Sequence, residues 1–380
     1  MTRTRIASTS PENLPASLKD AQAILSRGEV VAMPTETVYG LAGAAFDEMA
    51  LTRIFGVKAR PTFDPLIIHV SPGLMERAKG ADAIDKLRSL RLVDADKLSP
   101  ESRKIALALI SNFWPGPLTL ILPKTPFVPD LATSGLPGVA LRMPLHPVAQ
   151  ALIDISNQPL AAPSANRFGR ISPTSAKHVQ NELGDRIELI LDGGPCDVGL
   201  ESTVISVEPL RVLRPGGIAV SEIEKVLTAT LGRPVTIEKA TSPIEALSKK
   251  AQLSPGMLAS HYSPKKPLIL LVGQAAVLPK LPESAPPLMG LLIWSERDAA
   301  ACLERFSKLG VTISLVRWLV SAATDPLAEA GIREGARNLF SRMRELDDSG
   351  DVSEIWAEHC PATEGLAHAI RDRMTRAAHR

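Results

Sequence analysis

The chain has 380 residues, 45% of them hydrophobic and 22% charged, with a formal net charge of +2. That balance excludes a disordered chain and advertises no general affinity for nucleic acid, while the length exceeds one ordinary core and sets two domains as the starting expectation. Cys196, Cys302 and Cys360 are too few and too far apart for a disulfide framework or a CxxC metal site.

Met1–Ile6 is basic but no apolar run follows it, and no stretch approaches the roughly 20 apolar residues of a membrane span. A soluble cytoplasmic protein is expected. The spacing of Leu18, Ala21, Ile24 and Leu25 predicts a helix over Leu18 to Arg27, stopped by Gly28. Val30 to Met33 reads as a buried strand that delivers the chain into Pro34-Thr35. Asp47 caps a predicted helix through Phe55, Leu66 to Val70 is the next strand, and Leu74 to Ile110 is charged and helical in character. The break at Phe113-Trp114-Pro115-Gly116-Pro117 precedes a strand over Leu118 to Leu122. Further strands are expected at Val139 to Met143, Leu160 to Ala162, Ile187 to Leu191 and Thr203 to Val207, with helices at Pro147 to Ile155, Thr174 to Leu183 and Ser221 to Leu231. This mixture predicts a layered α/β (α+β) domain.

From Pro234 to about Leu253 the composition turns to Lys, Ser, Ala and Thr without an apolar period, the mark of a linker. Beyond it, strands at Leu268 to Val272, Leu288 to Trp294, Val311 to Val316 and Ile355-Trp356 alternate with helices at Arg297 to Leu309, Pro326 to Leu346 and Ala362 to Arg376. A small parallel-sheet α/β unit follows, with Ser295 as an N-cap and Pro282 to Pro287 as a loop.

Between Pro34 and Arg214 the chain repeatedly sets a small hydroxyl or a cation beside a tight Pro/Gly turn. Fixed cations with hydroxyl and amide donors suit a polyphosphate and a small zwitterion. Pro61 should stiffen an extended exit from which Lys58 and Arg60 point at one anion; a solvated helix end is the alternative. Arg142, inside an apolar strand, demands an anion, either an internal carboxylate or a substrate. Arg214 before Pro215-Gly216 poses the same choice. Ser164 and Asn166 emerge at a strand end, where α/β proteins bind ligands or where an Asx turn satisfies itself. Ser172 and Ser202 are loop serines, and His69 at a strand end serves either structure or ligand. His261-Tyr262 is an aromatic pair in a polar linker that needs something to pack on. There is no Walker A sequence and no Gly-x-Gly-x-x-Gly.

Taken together, Pro34-Thr35-Glu36-Thr37-Val38-Tyr39-Gly40-Leu41, Lys58-Ala59-Arg60-Pro61, Pro65-Leu66-Ile67-Ile68-His69 and Trp114-Pro115-Gly116-Pro117-Leu118-Thr119 resemble the threonylcarbamoyl-AMP synthase family. So do Arg142-Met143-Pro144, Ala162-Pro163-Ser164-Ala165-Asn166, Ser172-Pro173-Thr174, Gly199-Leu200-Glu201-Ser202-Thr203 and Leu213-Arg214-Pro215-Gly216. Ser254-Pro255-Gly256-Met257 with His261-Tyr262-Ser263-Pro264 is similar to the interdomain motif of the long form.

The resemblance implies a YrdC-like twisted mixed sheet with flanking helices and a cationic cleft over 14–233. It implies a linker or lid over 234–266 and a small Rossmann-like α/β domain over 267–380. It implies a nucleotidyltransferase that condenses L-threonine, bicarbonate or CO2, and ATP with Mg2+ to threonylcarbamoyl-AMP and pyrophosphate. A transfer machinery then passes the product to tRNA adenosine beside the anticodon. Thr35, Thr37, His69, Arg142 and Ser202 would surround threonine, with Arg142 as a bidentate fork on its carboxylate. Lys58, Arg60, Asp64, Ser164, Asn166, Ser172 and Arg214 would hold ATP, and Tyr262 with His261 would close over it. Lys58 and Arg60 would neutralise charge; no covalent or acid–base residue and no metal ligand is assigned. The family usually carries asparagine where this chain has Asp64, and Leu258-Ala259-Ser260 replaces the aromatic or cation before its His-Tyr pair. An RNA-binding module on the same basic surface, or a carbamoyl-adenylate synthase for another acceptor, are the alternatives.

Overall fold

The apolar runs become strands of two separate sheets in the computed structural model, which describes residues 4–239, 261–271, 288–308 and 310–379. The chain divides into two units, one of Met1–Phe168, Ser172–Asp197 and Glu201–Met257, the other of Gly169–Ile171, Val198–Leu200 and Leu258–Arg380. Ser254 to Ser260 and Pro282 to Pro287 lie outside the described residues.

The strands of the first unit are β1 (Arg5–Ser8), β2 (Val31–Met33), β3 (Gly40–Ala44), β4 (Ile67–His69), β5 (Leu118–Pro123), β6 (Gly138–Arg142) and β7 (Leu160–Ala161). They continue with β8 (Leu189–Asp192), β9 (Thr203–Val207), β10 (Leu210–Arg214) and β11 (Glu238–Lys239). Among the described residues they form one mixed sheet in the order β1-β8-β2-β3-β7-β4-β6-β5-β9-β10-β11. The sheet mixes parallel pairs such as β4 with β6 and antiparallel pairs such as β5 with β6. Val31, Ala32 and Met33 are fully buried, as a central strand requires.

Its helices are α1 (Leu14–Leu25), α2 (Glu48–Lys58), α3 (Pro72–Arg77), α4 (Ala83–Ser89), α5 (Pro100–Phe113), α6 (Asp130–Thr133), α7 (Pro147–Ser156), α8 (Ala176–Leu183) and α9 (Val220–Leu231). Asp47 caps α2 by accepting from Met49 N, as its position predicts. The charged stretch expected over Leu74 to Ile110 is three helices with a 3-10 turn at Ala95–Lys97. Asp82 and Ser99 are N-caps and Pro100 opens the last helix, so local caps cut a sequence whose charge pattern alone does not show the breaks. Arg103 then binds α4 to α5 through Asp82 and Asp85, both at 2.8 Å.

In the second unit, β12 (Leu268–Leu271), β13 (Met289–Ser295), β14 (Ile313–Val320) and β15 (Glu354–Glu358) form a sheet in the order β12-β15-β13-β14, parallel at every pairing. The helices α10 (Ala299–Lys308), α11 (Glu329–Asp348) and α12 (Leu366–Ala378) alternate with those strands, the Rossmann-like pattern expected of the sequence. Ser295 accepts from Arg297 N at the start of a 3-10 turn that leads into α10. The core of this unit gathers Met289, Leu291 and Ile293 with Phe306, Val311 and Trp356. Among the described residues, no helix is long and apolar enough to cross a membrane.

Candidate functional site

The turn that follows β2 is built by its own hydroxyls. Thr35 Oγ1 donates to Val38 O at 2.6 Å and accepts from the Thr37 and Val38 N–H groups at 3.2 and 3.3 Å. That uses the single hydrogen of Thr35, so in the 2.8 Å contact between the two hydroxyls Thr37 is the donor. Thr37 Oγ1 in turn accepts from Arg142 Nη1 at 2.8 Å.

Arg142 ends β6, in register with His69 at the end of β4. Its Nη2 donates to Glu36 Oε1 at 2.6 Å and its Nε to Gly116 O at 3.2 Å. The carboxylate is an internal partner, buried with the arginine as the cost of desolvating a lone charge requires. Glu36 uses its other oxygen to accept from Leu145 N at 3.0 Å. Burial, then the charge of Arg142, pushes the His69 imidazole down to about 3, so it is neutral near pH 7. Its Nδ1 is buried with no hydrogen-bond partner.

A second group of side chains surrounds the end of α2. Lys58 is the last helical residue, and the chain leaves through Ala59 in the left-handed conformation (φ 51°, ψ 41°) with Arg60 N bonded to Phe55 O. The stiff extended exit expected from Pro61 is therefore corrected: a left-handed cap, closed by main-chain bonds, sets the two cations. Lys58 Nζ donates to Ser164 O and Asn166 O, each at 2.5 Å. Arg60 donates through Nε to Asp64 O at 3.0 Å and through Nη2 to Pro65 O at 2.7 Å, and its Nη2 lies 2.9 Å from Asp64 Oδ2. Both Asp64 carboxylate oxygens are buried and accept no hydrogen bond. Burial raises the Asp64 carboxyl, against the opposing charges of Arg60, Lys58 and Arg214. Burial and then the charge of Arg60 hold the Lys58 ammonium well below its ordinary value.

The loop carrying Ser164 and Asn166 is held to the first turn, with Leu41 N bonded to Pro163 O and Ala165 N to Tyr39 O. Ser164 itself forms an isolated bridge with Gly40. Arg214, at the end of β10, donates through Nη2 to Ser202 Oγ at 3.1 Å and to Ser202 O at 3.0 Å. Gly216 makes that approach possible, because a Cβ there would sit 2.4 Å from Glu201 O and Thr203 N. Ser202 Oγ also lies 2.7 Å from Thr119 Oγ1, and Ser172 Oγ donates to Glu201 Oε1 at 2.6 Å.

Thr35, Thr37, Lys58, Arg60, Asp64, His69, Arg142, Ser164, Asn166, Ser172, Ser202 and Arg214 thus all lie in the first unit. His261 and Tyr262 belong to the second. There Tyr262 is buried in a left-handed backbone conformation (φ 64°), stacked on Phe340 at 5.5 Å between centroids with the Arg373 guanidinium 5.1 Å from its ring. His261 packs edge-on against it at 4.2 Å. Glu36, Thr119 and Glu201 lie outside the site expected from the sequence, yet they are buried and bond to Arg142, Ser202 and Ser172. The signal for Glu36 was the lone arginine of β6, which required a carboxylate.

A mixed-sheet unit with buried cations at its strand ends, followed by a parallel α/β unit, defines a two-unit α/β protein of YrdC-like class. The family model described as Telomere recombination (Sua5/YciO/YrdC) matches residues 23–216, and that of the threonylcarbamoyl-AMP synthase C-terminal domain matches residues 218–379. The chain belongs to this Sua5 family. It is 38% identical to a Threonylcarbamoyl-AMP synthase of Pyrococcus abyssi, over 95% of this chain and 94% of that protein. The synthase of Bacillus subtilis is 36% identical, over 95% and 92%. The crystal structure of P. abyssi Sua5 complexed with L-threonine superposes with a TM-score of 0.74 at 33% identity, covering 99% of this chain and 98% of that one.

Proposed function

We propose that this chain is a cytoplasmic nucleotidyltransferase that condenses L-threonine, bicarbonate or CO2, and ATP to threonylcarbamoyl-AMP and pyrophosphate. The product would supply the machinery that modifies tRNA adenosine beside the anticodon. The observation that carries this reading is the pairing of two unlike corners in one unit. One is a neutralised arginine with two N–H donors left; the other is a cluster of Lys58, Arg60 and Arg214 with Asp64 as its carboxylate.

In this reading the remaining N–H donors of Arg142 take the threonine carboxylate, while Thr37, Thr35, neutral His69 and Ser202 line the rest of the amino acid. The free amine attacks the carbon of bicarbonate, forming the C–N bond and releasing water. A carbamate oxygen then attacks the α-phosphorus, the bond to the β-phosphate oxygen breaks, and pyrophosphate departs. Lys58, Arg60 and Arg214 stabilise the charge on the phosphates, with Ser164, Asn166 and Ser172 on phosphate and ribose. Positioning of this kind is worth about 7–11 kcal/mol in well-oriented systems.

Among the described residues, no group of three or more His, Cys, Asp or Glu side chains would hold a metal by itself. Asp64, with both oxygens free of hydrogen bonds, fits as one oxygen ligand to Mg2+ brought in by the triphosphate. The ion would supply further charge neutralisation there. The test is pyrophosphate release from ATP and Mg2+ with threonine and bicarbonate omitted in turn. Release that requires both supports the synthase; release indifferent to threonine assigns another acceptor.

A further inference from the structure

The Arg142 guanidinium carries five N–H donors, and Gly116 O, Thr37 Oγ1 and Glu36 Oε1 each take one of them. One donor on Nη1 and one on Nη2 remain. A guanidinium tied only through its own strand would swing about its side-chain torsions; this one is gripped from the turn after β2 as well. Glu36 is well placed for that grip. Its Oε1 accepts from Arg142 and its Oε2 from Leu145 N, so one side chain spans the end of β6 and the loop beyond it. Its neighbour Thr37 holds the opposite Nη of the same guanidinium.

We propose that Glu36 is the positioning residue of the amino-acid corner: it holds Arg142 so that the two remaining N–H donors meet the substrate carboxylate as a fixed pair. This rests on the reading that Arg142 binds threonine. Glu36 acts through Arg142 and touches no reacting atom. Its charge also matters, because it offsets the buried guanidinium of Arg142, which without it would be an uncompensated buried cation. Gln in its place accepts from Arg142 or from Leu145 N through its one carbonyl oxygen, and loses the charge.

The experiment is equilibrium dialysis of the full chain with labelled L-threonine and, separately, with labelled ATP, on the wild type, Glu36→Ala, Glu36→Gln and Arg142→Met. The expected result is an approximately tenfold or larger rise in threonine Kd for Glu36→Ala and a smaller rise for Glu36→Gln. Both ATP Kd values should stay within about twofold of wild type. In an Arg142→Met background, Glu36→Gln should add nothing, since its effect runs through the arginine. A merely structural ion pair would instead weaken both ligands together, and that outcome overturns the proposal. Threonine binding unchanged in a folded Glu36→Gln overturns it as well, even where Glu36→Ala fails to fold. A wild type that binds ATP but no threonine overturns the threonine reading itself and the proposal with it.

Discussion

The two corners of the first unit hold their cations in opposite ways. Arg142 is anchored by a side-chain carboxylate, Glu36, which matches its charge. Lys58 is anchored by the main-chain carbonyls of Ser164 and Asn166, and Arg60 by those of Asp64 and Pro65. A carbonyl orients a cation but cancels none of its formal charge, so the second corner keeps positive charge beside the Asp64 carboxylate that pairs with Arg60. The first corner offers oriented donors without net charge. The difference matches a zwitterion on one side and a polyphosphate on the other, and four changes test it.

Arg142→Ala should have the largest effect, because it removes the amino-acid anchor and strands Glu36. Threonine-dependent pyrophosphate release is expected to fall by about 10³-fold or more. Stability should drop by about 3 kcal/mol through the buried, unpaired carboxylate. Urea unfolding of Glu36→Gln/Arg142→Met checks the second part, since that double variant should recover stability without recovering activity.

Lys58→Met comes next, with ATP Kd raised by about 100-fold. The free Lys58 ammonium is held well below its ordinary 10.5, first by burial and then by Arg60. Phosphate charges would raise it, so between the depressed value and 10.5 ATP binding should take up protons. With ATP free of Mg2+, Asp64, already raised, would move in the same direction. Calorimetry in two buffers of different ionisation enthalpy measures the uptake; Lys58→Met should diminish it, and proton release in the wild type would contradict this account.

Asp64→Asn removes the carboxylate from the positive corner. ATP without Mg2+ should bind about tenfold more tightly, and Mg2+ should narrow the gap. Weaker binding on dialysis would show that Asp64 holds Arg60 in place more than it repels phosphate.

The smallest effect belongs to His69→Asn. The folded imidazole sits at about 3 against 6.5 in a model peptide. Between those values the unfolded chain carries a proton that the folded chain lacks, so stability falls as pH drops through this window, by up to about 1.4 kcal/mol per pH unit. Unfolding midpoints at pH 4.5 and 7 should differ less in His69→Asn than in the wild type, and an unchanged difference would place a charged His69 in the fold.

Much of the framework was legible before any coordinate. Val30 to Met33, Leu118 to Leu122 and Thr203 to Val207 became strands close to their expected bounds, and Asp47 caps its helix, because apolar period and caps act over a few residues. Gly40–Ala44 is a strand that its small residues did not announce, since it is made by pairing with β2 and β7 on either side. Leu210–Arg214 gained its strand from β9 in the same way. The left-handed Ala59 and the breaks at Asp82 and Ser99 were hidden for a related reason: propensity is weak, and neighbouring chain decides it.

The sequence by itself determined that cations, hydroxyls and turns would meet at strand ends, and that an arginine inside an apolar strand must find an anion. Only the tertiary structure decided which anion. Glu36 reaches Arg142 across 106 positions and Lys58 reaches Asn166 across 108. No local period encodes such a partnership; it is selected by the cost of burying a charge alone, which only the assembled sheet imposes.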